Sequence, residues 1–134
     1  MPYQLNWESP TKIVCQFFGK VDFDELNMAT NAFYNDHRSD YVKEAFWDFT
    51  EMTRFEVDAT EASEMAHTDN AASNYIKHLN AAFITQDDAF SELVRHYIEE
   101  MERIGSPWNN RLFQTMDQAK KWIDDAKLSA SITG

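Results

Sequence analysis

Three times in this 134-residue chain, an acid or hydroxyl residue is followed three positions on by Glu or Gln, just where an apolar run gives way to helical spacing. The pairs are Asp22 with Glu25, Asp58 with Glu61 and Thr115 with Gln118. Residues of this kind satisfy free backbone N–H groups in both directions and so mark helix starts. Asp87 marks a fourth start, before Phe90, Leu93, Val94, Tyr97, Met101 and Ile104, which keep a 3.6-residue period up to Gly105. The first helix is expected over 22–35, with Phe23, Leu26, Ala29 and Phe33 on its apolar side. A second carries Ala62, Met65, Ala66, Ala72, Tyr75 and Ile76, and the last buries Ala119, Trp122, Ile123 and Ala126.

The segments between these helices read as strands. "YQLNWE" (3–8) alternates apolar and polar residues, and "TKIVCQFFG" (11–19) follows the turn-forming Ser9 and Pro10, so the two form an antiparallel hairpin. "YVKEAFWDFT" (41–50), "LNAAFIT" (79–85) and "NRLFQT" (110–115) are short and apolar on both sides, as strands covered on both faces of a parallel sheet must be. The order ββαβαβαβα, with right-handed crossovers, predicts one α/β domain over 1–126 with a mixed, mostly parallel sheet, and a flexible tail over 127–134.

Composition narrows the function classes. With 43% hydrophobic residues, including 10 Phe, 5 Tyr and 4 Trp, the chain has the apolar area for a single core. The net charge of −11 repels phosphate backbones and anionic membranes, so nucleic acid is not an expected partner, whereas a basic protein, a cation or a neutral ligand is accommodated. Cys15 is the only cysteine, and no run approaches the ~20 apolar residues of a membrane span. The opening "MPYQLNWESPTK" carries no leader pattern, and the expected location is the cytoplasm.

In parallel α/β sheets, ligands bind beyond the carboxyl ends of the strands, here the loops at 50–58, 85–88 and 114–117. The binding or switch candidates are therefore Asp48, Thr50, Asp58, Thr60, Thr85 and Asp87, with Trp108 of "GSPW" either at a pocket rim or anchoring the turn into the last strand. A phosphate-receiver reading could use Asp48 and Thr85. The chain, however, lacks an acidic pair after its first strand and a Lys after "RLFQT". Glu64, His67 and Asp69, and Glu92, His96 and Glu100, have ligand-like spacing, but a dinuclear carboxylate site needs two Glu-x-x-His pairs on facing helices, so both read as solvated helix faces. Cys15 lies on the Ile13/Phe17 side of its strand with no neighbouring cation to activate it, and there is no G-x-S-x-G, G-x-G-x-x-G or Walker sequence. No catalytic residue, metal or cofactor is assigned. The aromatic surplus, including Phe17, Phe18, Phe46, Trp47, Phe49 and Phe55, reads as a core covered on both sides, as an apolar cavity, or as a face for a second subunit.

The element order, the opening "MPYQLNWE", the Asp48 that ends the third strand, "GSPW", and the final "RLF…A…W" together resemble the SpoIIAA-like family of STAS-related domains, over roughly 3–124. The resemblance implies a bacterial-type binding or regulatory module related to anti-sigma-factor antagonists and to Sec14-type lipid-binding folds. It also implies a phosphorylatable hydroxyl at the start of the helix after the third strand, in a D-S-S-G-like turn. "VDATEASE" stands at that place and offers Asp58 and Thr60, without the second hydroxyl or the Gly. Asp58 thus reads as a cap and Thr60 as an early-turn residue or a switch. The expectation is a non-enzymatic interaction module acting on a protein partner or a second copy of itself. The alternative is a carrier of a small apolar, lipid-like ligand between the sheet and the middle helices.

Overall fold

The computed structural model describes residues 3–133, with side chains through Leu128. Five strands lie in the order β1-β2-β3-β4-β5, with β1 (Tyr3–Ser9) antiparallel to β2 (Lys12–Asp22) and the later strands parallel. The other strands are β3 (Glu44–Glu56), β4 (Asn80–Ile84) and β5 (Asn109–Phe113). Helices α1 (Phe23–Asn35), α2 (Ala59–Ala72) and α3 (Asp88–Arg103) connect successive parallel strands, and α4 (Met116–Thr133) follows β5. Right-handed crossovers that always step in the same direction place all three connecting helices on one face. The opposite face is left to α4.

Each expected helix start is present. Asp22 accepts from the Glu25 N–H at 2.9 Å, and Asp58 and Glu61 form the full reciprocal box, at 2.8 and 3.0 Å. Asp87 accepts from the Phe90 N–H at 2.8 Å. Thr115 Oγ1 accepts from the Gln118 N–H, while the Gln118 side chain reaches back one residue further, to the Gln114 N–H. At the other end of α3, Gly105 takes φ 81°, and the N–H groups of Gly105 and Ser106 donate to the carbonyls of Glu102 and Met101, closing a Schellman motif.

The alternation along each strand sorts the core into two layers. Ile13, Cys15 and Phe17 of β2, with Ala45 and Phe49 of β3, pack under α1–α3, whereas Val14, Phe46, Ala82 and Ile84 pack with Ala119 and Ile123 of α4. The aromatic residues largely fill these layers. Phe17 stacks on Phe49 at 4.7 Å, and Phe90 of α3 meets both Phe49 and Phe55, at 4.6 and 5.0 Å.

Three expectations are corrected. The third strand does not stop at Thr50 but runs to Glu56, because β2 also continues and residues 18–22 pair with 51–56. Among the described residues neither β1 nor β4 pairs with this stretch, which forms a two-stranded parallel ribbon with register shifts after Gln16 and Gly19. Gly19 has φ 65°, a conformation that strains any other residue. Second, α2 ends at Ala72, so Tyr75 lies beyond it and is exposed, while Ile76 is buried in the turn before β4. Third, residues 127–133 of the expected tail continue α4; no Gly or Pro interrupts them, and Lys127 Nζ lies 2.7 Å from Glu44 Oε1, a buried carboxylate oxygen. That pair has ion-pair distance without hydrogen-bond geometry. Gly134 lies outside the described residues.

Candidate functional site

The seven sequence-derived candidates fall into three places. Asp48 and Thr50 lie mid-way along β3, level with the carboxyl end of β4, where Thr85 and Asp87 follow; Asp48 is in register with Ile84 and Ile84 with Phe113. Their polar atoms are occupied locally. Asp48, 7% exposed, accepts from the Thr50 N–H and hydroxyl at 3.0 and 2.7 Å, which closes the bulge where the ribbon begins. The buried Thr85 hydroxyl accepts from the Asp87 N–H at 3.1 Å, and Asp87 in turn caps α3.

Asp58 and Thr60 stand apart, at the far end of the ribbon. Thr60 is exposed in the first turn of α2, directly after the capping box. Along the ribbon that leads to it, Glu51, Thr53, Arg54 and Glu56 are exposed too, and Glu56 is shared by Lys20 at 3.3 Å and Arg54 at 3.6 Å. Trp108 lies at the opposite, amino end of β5. Its Nε1 donates to the Ile76 carbonyl at 2.6 Å, and the ring is buried, so it anchors the turn into the last strand.

The residues with ligand-like spacing do not converge. Glu64 and His67 face solvent while Asp69 turns inward, His67 Nε2 sits 3.9 Å from Glu100, and His96 Nε2 is 3.0 Å from the Ser63 hydroxyl. Among the described residues, no group of three His, Cys, Asp or Glu side chains is placed to hold a metal ion. Burial pushes the Cys15 thiol up to about 12, which removes the thiolate needed for nucleophilic chemistry.

Sequence reasoning offered the space between the sheet and the middle helices for an apolar ligand, but it did not single out the acid that lies there. Between the sheet and α1–α3 lies a cavity of about 70 Å³, lined by Phe17, Trp47, Phe49, Phe83, Leu93 and other apolar groups. Asp69 is on its wall. Tyr34 of α1 donates to Asp69 Oδ1 and Tyr97 of α3 donates to Oδ2, both at 2.6 Å, so one carboxylate ties three helices together. Burial raises the Asp69 pKa to about 6 despite these two donors, which act to lower it. The same surroundings push both tyrosines upward, through burial first and the adjacent carboxylate second. The signal was present in the spacing: Ala62, Ala66 and Asp69 recur at i, i+4 and i+7, which sets an acid on the buried stripe of α2. A second hollow, of about 420 Å³, runs along the open edge of β5 between α3 and α4, lined by Met101, Trp108, Asn110, Arg111 and Trp122.

No protein-family profile matches the chain, and no curated protein matches it in sequence. Solved structures do match its fold. The anti-sigma factor antagonist SpoIIAA in its unphosphorylated form superposes with a TM-score of 0.60, covering 93% of this chain and 97% of that one at 10% identity. The Bacillus cell fate determinant SpoIIAA in the phosphorylated form gives a TM-score of 0.56, covering 90% and 98%, also at 10% identity. The chain therefore has the SpoIIAA (STAS) fold. Among the described residues no helix is long and apolar enough to cross a membrane.

Proposed function

We propose that this protein is a STAS-type regulatory module, acting in the cytoplasm by binding a protein partner and not by catalysis, and that the start of α2 with the adjoining ribbon is its docking face. The observation that carries this reading is the exposure of Thr60 next to a complete capping box, where the two-stranded ribbon leads into α2. SpoIIAA, the fold relative, is an antagonist of an anti-sigma factor and exists in phosphorylated and unphosphorylated forms. Asp58 holds the third N–H of α2, and a phosphate on Thr60 would lie beside the helix N-terminus, where the dipole favours anions. Glu51, Glu56 and Asp58 supply a negative rim suited to a basic partner.

The test is a charge-reversal series, Glu51→Lys and Glu56→Lys, with Asp58→Asn and Thr60→Ala beside it, each confirmed as folded. Capture of one defined protein that is lost in the reversals supports docking at this face; capture unchanged in all of them sinks it. Incubation with cell extract and ATP addresses Thr60, where labelling that persists in Thr60→Ala removes the switch.

The second reading, a carrier of a small apolar ligand, is favoured by the cavity under α1–α3. Ligand pockets usually measure ~300–1,000 Å³, so a hollow of about 70 Å³ suits a compact molecule and not a lipid chain. Native mass spectrometry followed by a denatured run on the same sample separates the two. A mass excess that vanishes on denaturation supports the carrier, and a clean mass supports docking, with the monomer or dimer mass reporting self-association.

A further inference from the structure

Asp69 presents an unusual balance. It is 9% exposed and faces an apolar cavity, yet no Lys, Arg or His among the described residues pairs with it. The groups that face it are the phenols of Tyr34 from α1 and Tyr97 from α3, with Tyr75 of the turn after α2 further off, and each of these is neutral near pH 7. A buried carboxylate is normally balanced by a cation or by several donors, because moving a lone charge out of water costs several kcal/mol. Here there are two donors and no cation. Each oxygen accepts one phenol hydrogen and keeps a further lone pair.

The apolar lining indicates the rest of the occupant. Trp47 and Phe83 sit mid-sheet beneath the helices, yet both remain only partly buried, and both line the cavity. Leu26 of α1, Val57 of the β3–α2 joint and Met65 of α2 are also half-buried members of the lining, so the way in passes between those elements. An anion would be repelled by Asp69, and a long acyl chain does not fit about 70 Å³. Aromatic faces attract cations, which adds to the pull of the carboxylate.

We propose that this cavity binds a compact primary ammonium compound, its charged nitrogen meeting Asp69 and its short apolar arm lying against Trp47, Phe83 and Leu93. Its mouth borders the docking face, where Val57 directly precedes Asp58, but none of Glu51, Glu56, Asp58 and Thr60 lines it. It rests on the cavity behind the carrier reading, and it replaces a generic apolar ligand with a cationic one.

The experiment compares n-propylammonium chloride with 1-propanol and sodium propionate at pH 7.5, at constant ionic strength, following thermal melting and tryptophan fluorescence. A ligand that binds only the folded state raises the melting temperature in proportion to ln(1 + [L]/Kd). The expected result is a saturable rise with propylammonium, little response to the alcohol and none to propionate. Asp69→Asn should weaken propylammonium binding about tenfold or more, the scale of one charge-assisted hydrogen bond. Met65→Phe, at the mouth, should weaken it while leaving the carboxylate in place. The wild-type protein supplies its own control: ammonium binding should fall between pH 7.5 and 5 as the carboxyl takes up a proton. Equal binding of alcohol and ammonium overturns the inference and keeps the carrier reading. An ammonium response unchanged in Asp69→Asn assigns it to surface acids and overturns the inference as well. If Asp69→Asn does not fold, the wild-type pH series decides, and affinity that is flat from pH 7.5 to 5 rejects the site, as does the absence of any saturable response.

Discussion

Replacing Asp69 by Asn changes one atom and removes one charge, and the structure says what that charge costs. The Asp69 carboxyl rises from 3.8 in the unfolded chain to about 6 in the fold. Between those values the folded protein holds a proton that the unfolded one has released, so stability falls as pH rises through this window. Above pH 6 the penalty is complete, and it amounts to about 3 kcal/mol at 1.36 kcal/mol per pH unit. Below pH 3 both states are protonated and the penalty is gone, while at pH 4 the unfolded carboxyl is already half ionised and about 0.5 kcal/mol of it remains. Asn has nearly the same shape, so Tyr34 can still donate to its oxygen, while its amide can donate to the Tyr97 oxygen. The difference in stability between wild type and Asp69→Asn should therefore shift by about 2.5 kcal/mol in favour of the variant from pH 4 to pH 7.5. For a domain of this length that is a relative change of about 10 °C in melting temperature. Urea denaturation of both proteins across that range reads it directly. A wild-type minus variant difference that stays flat would mean that Asp69 is solvated or paired in solution, and would refute the reasoning.

Cys15, buried in β2 with its thiol pushed up to about 12, should react with a disulfide reagent at pH 8 only after unfolding; prompt stoichiometric labelling of the folded protein would contradict its placement. Trp108→Phe strands the Ile76 carbonyl in a buried turn, at a cost of about 1–3 kcal/mol, and equal urea midpoints for variant and wild type would exclude that bond as an anchor. Asp58→Ala opens the capping box of α2 and should lose about 1 kcal/mol, measured by chemical denaturation; Asp58→Ser should recover most of it.

The strand and helix order could be read from the chain because each signal was local. Caps at Asp22, Asp58, Asp87 and Thr115 need only their own next three residues, and Gly105 needs only the helix it ends. The ribbon was hidden because it depends on two distant stretches agreeing. "EMTRFE" carries exposed acids and hydroxyls that read as a loop, and it becomes strand only because residues 18–22 offer it a partner. The Tyr34–Asp69–Tyr97 group on the cavity wall was hidden for a related reason. Tyr34 looks like a neighbour of Phe33, Tyr97 like one more apolar-face aromatic and Asp69 like a surface acid, and only the packing of α1, α2 and α3 makes them one group. The acid on the buried stripe of α2 was the single local sign of it.

The separation of α4 from the other helices has a consequence for synthesis. Once the chain through β5 has left the ribosome, α1–α3 can cover their side of the sheet without waiting for α4. Phe46, Ala82 and Ile84 have no cover on their side until Ala119 and Ile123 arrive. The nascent chain thus passes through a stage with one finished layer and one bare apolar strip, the kind of surface that recruits holdase chaperones or sticks to its neighbours on a polysome. The arrival of α4, and not the formation of the first core, then becomes the step that covers the second face of the sheet.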